Sequence, residues 1–163
     1  MGDSESISWH INSDGLSENV LSDLMSQFTN LRMYKGVFPY NHIKVNDKEN
    51  FSIIVNVGFH FVAICVYDSF VLYIDPLGSP VPFLPELILF LTNLKKPIFF
   101  NRKQIQSKKS SHCGFFSCLF CIYFEYNLMN EQTHLTLSFH KKELITNDEL
   151  CISYINRLYE IMS

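Results

Sequence analysis

The spacing of apolar positions along this chain changes several times, and each change marks an element. Leu16, Val20, Leu21, Leu24, Met25 and Phe28 recur at the intervals of one helix face, with Ser17 placed to cap it. Gly36 and Pro39 predict a turn, and Asn46 to Asn50 a polar loop. From Phe51 the pattern becomes β. Phe51–Val57, Phe59–Val66 and, after Asp68-Ser69, Phe70–Ile74 are dense in Val, Ile and aromatic residues and predict three strands, the last two joined as a hairpin. Pro76, Gly78, Pro80, Pro82 and Pro85 punctuate the exit, and a short helix is expected over Pro85–Leu94 with Pro85 in its first turn. Pro97–Gln106 reads as a further strand and Ser107–His112 as a polar loop. From Cys113 to about Leu128 the apolar density stays high on every side, which predicts a centrally buried helix. Leu150, Ile152, Tyr154, Ile155, Leu158 and Ile161 predict a last amphipathic helix over Asp148–Met162, capped at Thr146 or Asn147. Residues 1–15 read as a loose polar lead-in. With no internal repeat, linker or low-complexity tract, a single domain over residues 1–163 is expected. The order of elements predicts the α+β class: a central mixed or antiparallel sheet packed against a buried helix.

Composition narrows the function classes. A hydrophobic fraction of 47% with 15 Phe and 8 Tyr excludes disorder. A net charge of −3 argues against a broadly basic nucleic-acid binder. One segment departs from that average: Lys95, Lys96, Arg102, Lys103, Lys108 and Lys109 occur with no acidic residue among them. They read either as a solvated strand and loop or as a surface for a polyanion or acidic partner. The charge-free runs Phe51–Tyr67 and Ser110–Phe124 fall short of the roughly 20 residues that span a bilayer, so no membrane span is expected. Met1–Trp9 has no basic and apolar leader, and the five cysteines are an odd number. Both features lead to the expectation of a protein that is not secreted, in a reducing interior with free thiols. Met1-Gly2-Asp3-Ser4-Glu5-Ser6 fits the bare myristoylation pattern, but two acids so close to the glycine speak against acylation.

The candidate chemistry centres on Cys113, at the expected helix start after a polar loop. A thiolate is the nucleophilic form, and a helix N-terminus or a nearby imidazolium favours it; the plainer reading is a buried structural cysteine. His60 sits among apolar strand residues, where a polar ring needs a partner. Asp75 follows at a strand end before Pro76, and a hairpin can bring the two together. A carboxylate beside imidazole fixes its tautomer and raises its basicity; alternatively Asp75 caps the Pro76 turn. Gln106, at the edge of the loop, can aim an amide N–H at an oxyanion alongside the Cys113 backbone N–H. Gln104 is the competing residue. No cofactor and no metal is required by this set.

The segments Gly58-Phe59-His60-Phe61, Tyr73-Ile74-Asp75-Pro76-Leu77-Gly78 and Gln106 with six residues before Cys113-Gly114-Phe115-Phe116 resemble the adenovirus-type endopeptidase (adenain) family of cysteine proteases, related to the ubiquitin-like-modifier proteases. The likeness extends over most of residues 16–128 and implies a viral or polinton-type member. It implies an α+β fold with the nucleophile at the N-terminus of the central helix. It implies His60 as general base, Asp75 as its orienter where adenain has glutamate, Gln106 in the oxyanion hole and Cys113 as nucleophile. It also implies protein substrates of the capsid or core precursor kind, a monomer, and residence in the host nucleus or cytoplasm or in the virion. Phe61 stands where the family usually has Trp, and residues 90–105 contain no cysteine of the kind through which adenain's activating peptide is tethered.

Other readings compete. An isopeptidase for ubiquitin-like modifiers shares the site, although that branch places its glutamine in a short Pro- and Gly-containing loop that Ser107–His112 lacks. A binding-only homologue would use the fold without the chemistry. Cys113, Cys118, Cys121 and Cys151 match an iron–sulfur spacing, and His112 with Cys113, Cys118 and Cys121 could supply zinc ligands. The bulky residues between these cysteines disfavour both.

Overall fold

A computed structural model of the chain describes residues 17–46, 49–58, 60–101, 103–107, 113–127 and 144–162. The expected lead-in at residues 1–15 and most of the 107–112 loop lie outside them. The order of elements is α1 (Glu18–Ser26), β1 (Tyr34–Pro39), β2 (Phe51–Asn56), β3 (Phe61–Val66), β4 (Val71–Ile74), α2 (Pro85–Asn93), β5 (Ile98–Phe100), α3 (Cys113–Glu125) and α4 (Leu144–Met162). The strands lie side by side in chain order, β1 to β5, in one mixed sheet. β2, β3 and β4 form an antiparallel meander, and β1 and β5 join its edges in parallel. β4, α2 and β5 make a crossover unit, since a parallel neighbour cannot be reached by a tight turn.

Helices cover both faces of the sheet, which is why β2 and β3 read as nearly unbroken apolar runs. Their alternate residues serve different layers. Phe51, Ile53, Val55, Val62, Ile64, Val66, Val71 and Tyr73 pack with Leu87 and Leu91 of α2. Ile54, Phe61, Ala63, Cys65, Leu72 and Ile74 face α1, α3 and α4. α3 is buried along almost its whole length, from Cys113 through Ile122. α1 starts where expected, with Ser17 Oγ accepting from Val20 N at 3.3 Å.

Three expectations are corrected. The Gly36–Pro39 segment is not a turn but part of β1, paired with β2. Gly36, at φ +129, takes up a shift of register between Tyr34 and Val37, and Pro39 closes the strand at the sheet edge, where a missing N–H is tolerated. The strand expected over Pro97–Gln106 ends at Phe100, because Asn101 turns its side-chain amide onto the Asp75 backbone in place of a continued ladder. The last helix begins at Leu144 rather than Asp148, so Asn147 lies inside it and is no cap; the side chain of Thr146 is outside the described ones.

Glu125, at the end of α3, holds the entry to β1. Its carboxylate accepts from Arg32 N at 2.5 Å and from Met33 N at 2.9 Å. Glu125→Ala leaves those two amides without this acceptor and is expected to destabilise the fold by about 1–3 kcal/mol, read as a lower urea midpoint with an unchanged slope. An unshifted midpoint would show that water replaces the carboxylate at no cost.

Candidate active site

The β2–β3 corner presents His60. Val57 N donates to His60 O at 2.9 Å, Asn56 Oδ1 accepts from Gly58 N at 3.0 Å, and Gly58 adopts φ +124, a conformation that a side chain would strain. The register Ala63↔Ile74 carries the residues before β3 alongside those after β4. His60 Nε2 is hydrogen-bonded to Asp75 Oδ1. The same oxygen accepts from Leu77 N at 2.8 Å, and Gly78 N donates to Asp75 O at 2.8 Å. Asp75 therefore both engages the histidine and caps the Pro76 turn; the two readings of this residue are not alternatives.

Asn101 holds Asp75 from behind. Asp75 N donates to Asn101 Oδ1 at 2.8 Å, and Asn101 Nδ2 donates to Asp75 O at 2.5 Å and to Lys103 O at 3.1 Å. Sequence reading missed this residue. The signal that could have found it is a primary amide just beyond a predicted strand, where it can stand in for a backbone pair.

Cys113 opens α3 and is 8% exposed, and its thiol lies near enough to the His60 imidazole to raise that ring's pKa. Because Nε2 faces Asp75, Nδ1 is the ring nitrogen left for the sulfur. Ser117 Oγ donates to Cys113 O at 2.8 Å within the first turn. Gln106 is buried and tied to the site through the backbone: Gln106 N donates to Pro76 O at 3.0 Å and Ile105 N to the same oxygen at 2.9 Å. Gln104 Nε2 donates to Gln106 O at 2.9 Å, so the competing amide is engaged in supporting its neighbour. The structure thus joins His60 to Asp75 by a side-chain hydrogen bond, brings Cys113 near the same ring, and hangs Gln106 on Pro76, the residue after the aspartate.

Burial alone would depress the His60 pKa. The hydrogen bond to Asp75, and after it the one to Cys113, override that and raise it from 6.5 to about 9. The ring therefore carries a proton at neutral pH. Elsewhere burial is the largest influence and pushes the thiols of Cys65, Cys118 and Cys151 well up, as expected of inert core cysteines. Cys121 Sγ donates to Ile53 O at 3.7 Å in the same apolar core. Cys113 faces His60 while Cys118, Cys121 and Cys151 pack in the core, and no group of three or more His, Cys, Asp or Glu among the described residues could hold a metal ion. His112 lies outside those residues. Of the basic segment, Lys96 Nζ donates to Tyr67 O at 2.6 Å, Lys95 and Lys103 are exposed, and Arg102, Lys108 and Lys109 are outside the described residues.

No family model and no curated protein matches the chain. Among solved structures, one described as the crystal structure of the de-sumoylating protease aligns over 93% of this chain and 83% of its own, at 14% identity and a TM-score of 0.47.

Proposed function

We propose that the chain is a cysteine peptidase in which Cys113 attacks a peptide carbonyl, His60 holds and returns the proton, Asp75 orients His60, and Gln106 donates to the oxyanion. The observation that carries this reading is one imidazole bonded to a buried carboxylate and lying near a thiol at a helix N-terminus. A thiolate beside an imidazolium is a ready nucleophile. Its sulfur forms a bond to the carbonyl carbon as the C=O electrons move to oxygen, where N–H donors stabilise the charge. Collapse breaks the C–N bond, the amine leaves with the His60 proton, and a thioester remains. Water, deprotonated by His60, releases the acid and restores the thiol.

Resemblance to the adenain family favours endopeptidase action on capsid or core precursor proteins over removal of ubiquitin-like modifiers. A panel of fluorogenic peptides with small residues at the scissile bond tests this, run beside modifiers that carry a C-terminal electrophile. Turnover of peptides and rapid alkylation of Cys113 by iodoacetamide are expected. Labelling by the modifier without peptide turnover would move the reading to the deconjugating branch. No turnover of either, with alkylation no faster than that of an ordinary thiol, would overturn it.

A further inference from the structure

Asn147 and Asp148 lie in the first turns of α4, at 0% and 1% exposure. Burying an amide and a carboxylate together is costly unless both find partners. Their partners lie some forty residues upstream, on either side of Gln106. Asn147 Nδ2 donates to Ile105 O at 3.1 Å, and Asp148 Oδ1 accepts from Ser107 N at 3.2 Å. On the opposite side Pro76 O accepts from Ile105 N and Gln106 N, and Gln104 Nε2 donates to Gln106 O. The backbone around Gln106 is therefore gripped from two directions: the turn after Asp75, and the C-terminal helix.

We infer that Asn147 and Asp148 are positioning residues for the oxyanion-stabilising amide, so that α4 is part of the catalytic apparatus and not merely a cover for α3. The inference rests on the peptidase reading above. Segment 104–107 has no ladder beyond Phe100 to fix it, yet an oxyanion donor must be held near its working position before the charge develops. The α4 side chains provide the constraint that the interrupted strand does not. Their contribution belongs to the step in which negative charge appears on oxygen, and not to the pairing of Cys113 with His60, which hangs on β3, β4 and α3.

The test uses the full chain with a cleaved fluorogenic peptide, measuring kcat, KM and iodoacetamide alkylation of Cys113 across pH. Asn147→Ala and Asp148→Ala are expected to lower kcat by roughly 10- to 100-fold, within the range set by loss of one oxyanion donor. KM and the alkylation profile should stay as in wild type. Asp148→Asn, which retains an acceptor for Ser107 N, should recover the larger part of kcat, and Glu149→Ala, exposed on the same helix, should leave it unchanged. In a Gln106→Ala background, where the amide is already gone, Asn147→Ala should cost nothing further. If the alanine variants do not fold, Asn147→Leu keeps the volume and carries the same readings, as does the Asp148→Asn comparison with wild type. Additive losses in the Gln106→Ala background, alkylation falling in parallel with kcat, or unchanged kcat in a folded variant would overturn the inference. A wild type that is active while the variants match it sinks this inference alone. A wild type that neither cleaves peptides nor alkylates rapidly sinks the peptidase reading, and this with it.

Discussion

Cys113→Ala is expected to reduce peptide hydrolysis to background, a loss on the order of 10⁵–10⁶ in kcat, comparable to removing the nucleophile from other acyl-transfer enzymes. No other described thiol can take over. Cys65, Cys118, Cys121 and Cys151 are sealed in the core between β3, α3 and α4, and none of them meets an imidazole among the described residues. The fold should survive the change, because one sulfur atom is lost from the first position of α3 and the rest of that helix remains packed. Its melting temperature should therefore stay within a few degrees of wild type, with circular dichroism unchanged. Full activity in a folded Cys113→Ala protein would remove the covalent mechanism entirely.

Asp75→Asn is expected to cost about 10²–10⁴ in kcat/KM, as when the carboxylate partner of a catalytic histidine is neutralised, and to displace the alkaline limb of the pH profile. The sign follows from the histidine. In wild type the folded-state pKa lies near 9, above the ordinary 6.5, with the Asp75 hydrogen bond as the leading cause that raises it. The protonated ring that would supply the leaving amine with its proton is therefore present at neutral pH and is lost as pH rises through about 9. Activity should fall along that limb. Without the carboxylate the limb should move down towards 6.5, so the variant is most impaired above neutrality. The same group has a stability consequence. A histidine that binds its proton more tightly when folded contributes stability that is fully present below about pH 6.5 and fades as pH passes about 9. Thermal melts of wild type should lose stability across that window, and those of Asp75→Asn should lose less. A wild-type rate that rises through pH 9 would mean that a neutral imidazole is the working form, and the ion-pair mechanism would be wrong.

Much of this was legible from residue order. The strands from Phe51 to Ile74 announced themselves because both faces of the sheet are covered, which leaves apolar side chains at nearly every position of β2 and β3. α3 was legible for the same reason. β1 was not: Gly36 and Pro39 carry the chemistry of a turn, and only pairing with β2 reveals that they serve a bulge and a strand end at the sheet edge. Among the site residues, Cys113, His60, Asp75 and Gln106 could be nominated one by one, since each is a chemically costly side chain in an apolar setting or at an element boundary. Asn101 could not, because its use depends on where Asp75 lies across the sheet.

The sequence by itself determined the α+β class, the central buried helix and the four residue types from which a thiol hydrolase is built, because hydrophobic period and element boundaries are local properties. Tertiary structure alone decided that one carboxylate oxygen of Asp75 serves both histidine and turn, and that His60 is charged at neutral pH. It alone also decided that two residues read as a helix start reach back to grip the chain around Gln106. Hydrogen bonds between residues 15 to 42 positions apart depend on how strands register and helices pack, and no short-range pattern encodes that.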